Sequence, residues 1–85
     1  MNNIEKNEEI CIRLTKILAE YGMEGVQNIR NFNYIIDGNL DSFEFLSFIT
    51  DLEIEFSVKF TVEDISNKKY YVINELIELI LNKIN

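Results

Sequence analysis

The sequence predicts a small all-α bundle of three main helices plus one short helix, with a long first loop. Its 85 residues suit a single domain spanning 1–85, and 47% of them are hydrophobic, enough for a core without disulfides or metal. Apolar residues recur at helical spacing near both ends of the chain, and a helix-capping signal opens a third such segment in the middle.

The first helix is predicted over residues 3–21, and Gly22 and Gly25 end it. Its apolar stripe follows the spacing of one buried helix face: Ile10, Leu14, Ile17, Leu18 and Tyr21. Residues 22–40 have no sustained period and are rich in turn formers. We therefore predict a long loop that is pinned to the core by its own apolar side chains, which are Val26, Ile29, Phe32, Tyr34, Ile35 and Ile36.

The second helix is predicted from an N-cap at Asp41 or Ser42 to about Phe56. At about 100° per residue, one arc of about 160° forms the predicted core face, with Leu46, Ile49, Phe56, Phe45, Leu52 and Phe48. Phe43 and Ile54 fall on the opposite face among acids, about 16 Å apart along the axis. An apolar pair rimmed by carboxylates is typical of a protein-docking surface, although single exposed apolar residues are normal.

Two further elements complete the chain. Val58 and Phe60 mark an irregular apolar connection, and residues 61–65 predict a short helical turn with Thr61 as its cap and Asp64 at its third position. The last helix is predicted over residues 71–84. Its apolar residues again follow the helical period, and they are Val72, Ile73, Leu76, Ile77, Ile80, Leu81 and Ile84.

The net charge of −7 belongs to one central segment. Between Asp37 and Asp64 the only base is Lys59, and the acids are Asp37, Asp41, Glu44, Asp51, Glu53, Glu55, Glu63 and Asp64. Acids and bases balance in the rest of the chain. The segment is either a solvated helix face or a surface that steers a basic partner. Either way, the charge disfavours a nucleic-acid binder.

Several classes of protein are excluded or disfavoured by composition. The chain has no His and a single Cys, so it lacks a Ser-His or Cys-His pair, an internal disulfide and a thiolate zinc site. It has no apolar run of membrane-spanning length and no signal peptide, so we expect a cytoplasmic location. We also expect a monomer. Asp37, Asn39 and Asp41 have the spacing of calcium ligands, but Ser42 and Phe48 stand where an EF-hand needs Gly and Glu, so no metal site is predicted.

The sequence resembles the acyl carrier protein family over essentially its whole length. Residues 38–43, Gly-Asn-Leu-Asp-Ser-Phe, are similar to the family's Asp-Ser-Leu start of the second helix. The stretches at 45–49 and 52–56 resemble the body and end of that helix, and those at 60–65 and 70–77 resemble the third-helix start and the last helix.

This resemblance implies a carrier and not an enzyme. Ser42, preceded by Asp41 as motif residue and helix cap, would receive 4′-phosphopantetheine from coenzyme A and carry an acyl or aminoacyl group as a thioester. The implied partners are a phosphopantetheinyl transferase and acyl- or aminoacyl-loading and acyl-transfer enzymes with basic docking patches. The implied docking surface comprises Phe43, Glu44, Ser47, Thr50, Asp51 and Ile54.

The chain departs from fatty-acid carriers at three positions. Phe43 stands where the family most often has Leu, and Ser47 and Ile54 occupy positions that are commonly Glu. The spelling of residues 38–42 is also similar to D-alanyl carrier proteins and to free-standing carriers of peptide-synthetase type, so the carried group stays open between fatty-acid, polyketide and specialised acyl or aminoacyl transfer. The alternatives are an acidic helical adaptor without the prosthetic group and, less favoured, a small calcium-binding module.

Overall fold

The computed structural model describes residues 2–85, and it confirms the predicted all-α bundle. Four α-helices follow one another: α1 (Asn3–Glu20), α2 (Ser42–Phe56), α3 (Val62–Ser66) and α4 (Ile73–Ile84). Two 3₁₀ turns, Ile29–Asn31 and Lys68–Tyr71, lie in the connections and were not predicted. None of the helices in residues 2–85 combines the length and the apolar character that crossing a membrane requires.

Helix α1 ends as the glycine signal predicts. Gly22 has φ +86, a left-handed conformation that residues with a Cβ rarely adopt. Its N–H donates to the Ala19 carbonyl, and the N–H of Met23 donates to the Leu18 carbonyl at 3.0 Å. These are the two bonds of a Schellman motif, which satisfies the last carbonyls of the helix.

Helix α4 starts later than the predicted residue 71, and the reason is a contact with the first loop. Val72 is extended and forms an isolated antiparallel bridge with Asn33. On either side of it, Tyr34 N–H donates to the Tyr71 carbonyl at 3.1 Å and Ile73 N–H donates to the Phe32 carbonyl at 3.0 Å. The long loop is therefore pinned by backbone hydrogen bonds as well as by side chains.

The core lies between α1, α2 and α4. Helix α4 packs against α1 and against both 3₁₀ turns, and α1 packs against α2. The predicted stripe residues of α1 and α4 supply most of the buried side chains, and α2 adds Phe48, Ile49, Leu52 and Phe56. Tyr34 is the fully buried anchor of the first loop.

Three side chains depart from the predicted apolar faces, and one of them, Ile84 at the end of the α4 stripe, is 43% exposed. Leu46, placed on the core face of the second helix, is 55% exposed, and Ile36, predicted to pin the first loop, is 74% exposed. Viewed down the helix axis, Leu46 is the last residue at one end of the predicted arc and lies next to Glu53. Phe48, Leu52 and Phe45, which face the core, lie toward the other end. Ile36 follows Tyr34 and Ile35, which already face inward, so the turn directs its side chain to solvent.

Candidate functional site

Helix α2 is capped by Asp41, which leaves Ser42 as its first residue. The Asp41 carboxylate accepts the N–H of Glu44 at 2.8 Å, and the Glu44 carboxylate accepts the N–H of Asp41 at 3.1 Å. This reciprocal capping box fixes the start of the helix without the serine. Ser42 is exposed, and its hydroxyl is not needed to satisfy the helix end.

The loop before Ser42 is closely packed at Gly38. A Cβ on this residue would lie 2.5 Å from the Tyr34 carbonyl oxygen and would also strike the Met23 sulfur. Asn39, and not Gly38, adopts the left-handed conformation, with φ +57. Gly38 is therefore required for a close approach of the chain to itself, and Asn39 makes the turn that leads into α2.

An exposed apolar face runs along α2 from its first turn. It consists of Phe43 at 84% exposure, Leu46 at 55% and Ile54 at 74%. Exposed Ser47 and Thr50 lie between them, and with Phe43 and Leu46 they line an open depression of about 250 Å³. We refer to Phe43, Leu46 and Ile54 as the apolar face. Leu46 makes it larger than the pair predicted from the sequence.

Most of the predicted docking residues are exposed on α2, but two of them contact Tyr21 at the end of α1. Phe43, Glu44, Ser47, Thr50 and Ile54 are exposed, but Asp51 is half-buried. The Tyr21 phenol donates to the Asp51 carboxylate at 2.6 Å and lies 3.0 Å from Ser47 Oγ. Burial and the bond to Asp51 raise the pKa of Tyr21. Sequence reasoning placed Tyr21 only in the apolar stripe and missed its phenol beside the site.

Most acids of the central segment have a partner in the fold. Glu55 pairs with Arg13 at 2.7 Å, and Asp64 pairs with Lys83 at 2.8 Å. Glu53 accepts the N–H of Phe60, and Asp37 accepts the N–H of Asn33. The bonds of Glu55, Asp64 and Glu53 connect different elements, and the bond of Asp37 closes a turn within the first loop, so the acidity of the segment is not simply a solvated face.

The ion pair of Asp64 gives stability a dependence on pH. Burial alone would raise the pKa of Asp64, but the hydrogen bonds from Lys83 and from the Thr61 backbone outweigh it and lower the pKa below its ordinary value of 3.8. Because the pKa of Asp64 is lower in the folded state than in the unfolded state, its ionised form stabilises the fold at every pH above the unfolded-state pKa. This stabilisation is lost as the pH falls through the folded-state pKa.

We expect Asp64→Asn to lower the free energy of unfolding by about 1 kcal/mol at pH 7, because it removes the charge and keeps a side-chain acceptor for Thr61. The difference from the unsubstituted protein should shrink as the pH falls below 3.8. Urea unfolding across a pH series measures this. Exposed Glu63, which has no ion-pair partner within residues 2–85, supplies the matched control Glu63→Gln. Equal losses for both variants would contradict the prediction.

The calcium interpretation finds no support in the geometry. Asp41 caps α2 and Asp37 bonds to Asn33, so their carboxylates serve the backbone. Across residues 2–85, no three His, Cys, Asp or Glu side chains come together as a metal-binding group.

The fold and this site define a small all-α bundle with an exposed serine at the start of its second helix. No family model, curated protein or solved structure matches the chain.

Proposed function

We propose that the protein is a carrier that bears an acyl or aminoacyl group on 4′-phosphopantetheine attached to Ser42. The observation that carries the proposal is the position of Ser42: exposed, first in α2, and relieved of capping by the Asp41–Glu44 box. Its sequence surroundings, residues 38–43, resemble the attachment motif of acyl carrier proteins.

The start of α2 fits a phosphodiester. The Glu44 N–H is bonded to Asp41, and the Phe45 N–H is bonded to the Asp41 carbonyl at 2.9 Å. The N–H groups of Ser42 and Phe43 have no acceptor inside the helix, and they lie at the positive end of its dipole. An anion on the Ser42 oxygen is therefore next to two available donors.

Attachment joins the Ser42 oxygen to the phosphate of the arm, while adenosine 3′,5′-bisphosphate leaves coenzyme A and the hydroxyl proton is lost. Once attached, the arm supplies a thiol that holds the carried group as a thioester. The residues of the chain hold the arm and present a docking surface.

The apolar face and its flanking carboxylates are the proposed docking surface for the transferase and for loading and acyl-transfer enzymes. Phe43 and Leu46 lie within one turn of Ser42, so a partner that covers them also reaches the serine. Exposed aromatic and aliphatic side chains supply the anchors of protein interfaces, and nearby Glu44 favours a partner with basic residues at its rim.

Intact-mass measurement after incubation with coenzyme A and several phosphopantetheinyl transferases tests the proposal. We expect the mass to rise by one 4′-phosphopantetheine group, and we expect Ser42→Ala to abolish the rise completely while leaving the melting temperature unchanged. Ser66→Ala, which replaces an exposed serine on α3, is the matched control and should be modified normally.

A mass gain that survives Ser42→Ala would refute the assignment of the site. No gain with any transferase would refute the carrier function. The apolar face would then favour the second candidate, an adaptor that binds a partner through α2 without a prosthetic group.

A further inference from the structure

Four aromatic rings close the bundle beside the start of α2. We call Tyr34, Phe45, Phe48 and Tyr71 the aromatic cluster. The ring centroids of Tyr34 and Phe48 are 4.9 Å apart, and those of Phe45 and Tyr71 are 6.1 Å apart. The ring centroid of Tyr34 also lies 6.3 Å from that of Phe45 and 6.2 Å from that of Tyr71, so every ring contacts at least one other. Tyr34 and Phe48 are fully buried, and this burial raises the pKa of the Tyr34 phenol.

The cluster is held shut by the backbone as well as by ring packing. Tyr34 belongs to the first loop and Tyr71 to the second 3₁₀ turn, and the Tyr34 N–H donates to the Tyr71 carbonyl at 3.1 Å. The bridge between Asn33 and Val72 and the bond from Ile73 to Phe32 continue this connection. Separating Tyr34 from Tyr71 would break buried hydrogen bonds and ring contacts together.

The aromatic cluster lies close to Ser42, so it affects where a group attached to this serine can go. Phe45 lies three residues after Ser42, one turn along the same helix, so their side chains are neighbours. A group tethered at Ser42 that entered the bundle beside α2 would meet the Phe45 ring first, with Tyr34 and Phe48 behind it. The depression of about 250 Å³ lined by Phe43, Leu46, Ser47 and Thr50 opens to solvent on the outer side of the helix.

We infer that the aromatic cluster keeps the carried group out of the core, so that the cargo of this carrier is a short or polar acyl or aminoacyl group and not a long alkyl chain. A long chain gains stability only where apolar volume is available to bury it, and here that volume is filled by packed rings. The inference rests on the proposed function, since it concerns a group attached at Ser42.

The test is to load Ser42 from acetyl- or octanoyl-coenzyme A with a transferase that accepts acylated substrates, and to compare the two forms. We expect melting temperatures that agree within about 1 °C, because an alkyl chain left outside the core contributes little to folding. Methyl NMR shifts of buried Leu52 and Leu76 should be the same in both forms, and only exposed Leu46 and Ile54 should respond to the chain.

Opening the cluster should reverse this result. Phe45 is only half-buried, so Phe45→Ala removes a ring at the edge of the cluster and leaves an apolar cavity. Octanoyl loading of this variant should raise its melting temperature by about 5 °C over acetyl loading and shift the Leu52 methyl signals. Phe45→Leu serves the same purpose if the alanine variant does not fold.

The outcomes separate the two proposals. If the unsubstituted protein is loaded and its melting temperature rises with the length of the acyl chain, the exclusion of long chains is overturned. Shifted Leu52 and Leu76 methyl signals would overturn it as well. Either result leaves the carrier function intact. A failure of any acyl-coenzyme A or coenzyme A itself to modify Ser42 overturns the carrier function and this inference with it.

Discussion

Phe48→Ala should lower the free energy of unfolding by about 4 kcal/mol. The Phe48 side chain is 0% exposed, and its ring packs between Tyr34 at 4.9 Å and Tyr21 at 5.6 Å between centroids. Its removal leaves a cavity where the first loop, α1 and α2 meet, and these elements cannot all collapse into it. Small domains have only about 5–15 kcal/mol of stability, so the loss is a large share.

Leu46→Ala is the matched control for this prediction. Both residues were expected in the core of α2, but the Leu46 side chain is exposed, so its truncation should change stability by no more than about 0.5 kcal/mol. Chemical denaturation of both variants measures the contrast. If Phe48→Ala does not fold, Phe48→Leu should still cost about 1 kcal/mol. Comparable losses at Phe48 and Leu46 would mean that the sequence-based core face, and not the structure, describes α2.

Gly38→Ala should destabilise the protein by about 2 kcal/mol, the range found when a packed site receives an extra carbon. The new Cβ would lie 2.5 Å from the Tyr34 carbonyl oxygen, a backbone atom held within a hydrogen-bonded turn. The Met23 side chain, on the other side, is buried and cannot swing freely away. The loop would have to move, and with it the segment that leads into Ser42.

Gly25→Ala separates this steric effect from backbone strain. Gly25 has φ +65 with nothing within 4 Å of an added Cβ, so its substitution costs only the strain of a left-handed alanine, about 1 kcal/mol. Thermal and denaturant unfolding of the two variants give the comparison. If Gly38→Ala lowers the free energy of unfolding by no more than Gly25→Ala does, the loop accommodates the added Cβ without a steric penalty.

The helices were predictable because their apolar periodicity is strong and their caps are local. The Asp41 and Thr61 caps each depend on residues within one turn, and the structure has capping boxes at both. The apolar stripe of α1 could be predicted without knowing which elements pack against it. Such features are encoded in short stretches of sequence, which is why the fold class followed from the pattern.

The parts that escaped prediction depend on contacts between distant residues. The bridge from Asn33 to Val72 delays the start of α4, and nothing near either residue in sequence indicates it. The sequence indicated Gly38 as a turn former and as part of the motif at residues 38–43, whereas the need for glycine there comes from close contacts with Tyr34 and Met23. The exposure of Leu46 depends on where α1 and α4 cover α2, although its place at the end of the apolar arc was a signal available beforehand.

The candidate site was partly predictable in the same sense. The sequence placed Ser42 at the start of a helix, but it left open whether Ser42 or Asp41 is the cap, and the structure assigns the cap to Asp41. The ion pairs of Glu55 with Arg13 and of Asp64 with Lys83 join residues from different helices. The two residues of each pair are far apart in the sequence, so the sequence left open whether the central acids form a solvated helix face or steer a basic partner.

The bridge between Asn33 and Val72 also joins two segments that are synthesised at different times. The loop that leads to α2 takes its place only when residues 71–73 are present to accept and donate its backbone hydrogen bonds. A ribosome releases the chain from its N-terminus, so Ser42 is made well before the residues that complete its surroundings. The transferase that we propose for Ser42 would therefore meet the folded surroundings of this serine only after residues 71–73 have also been synthesised.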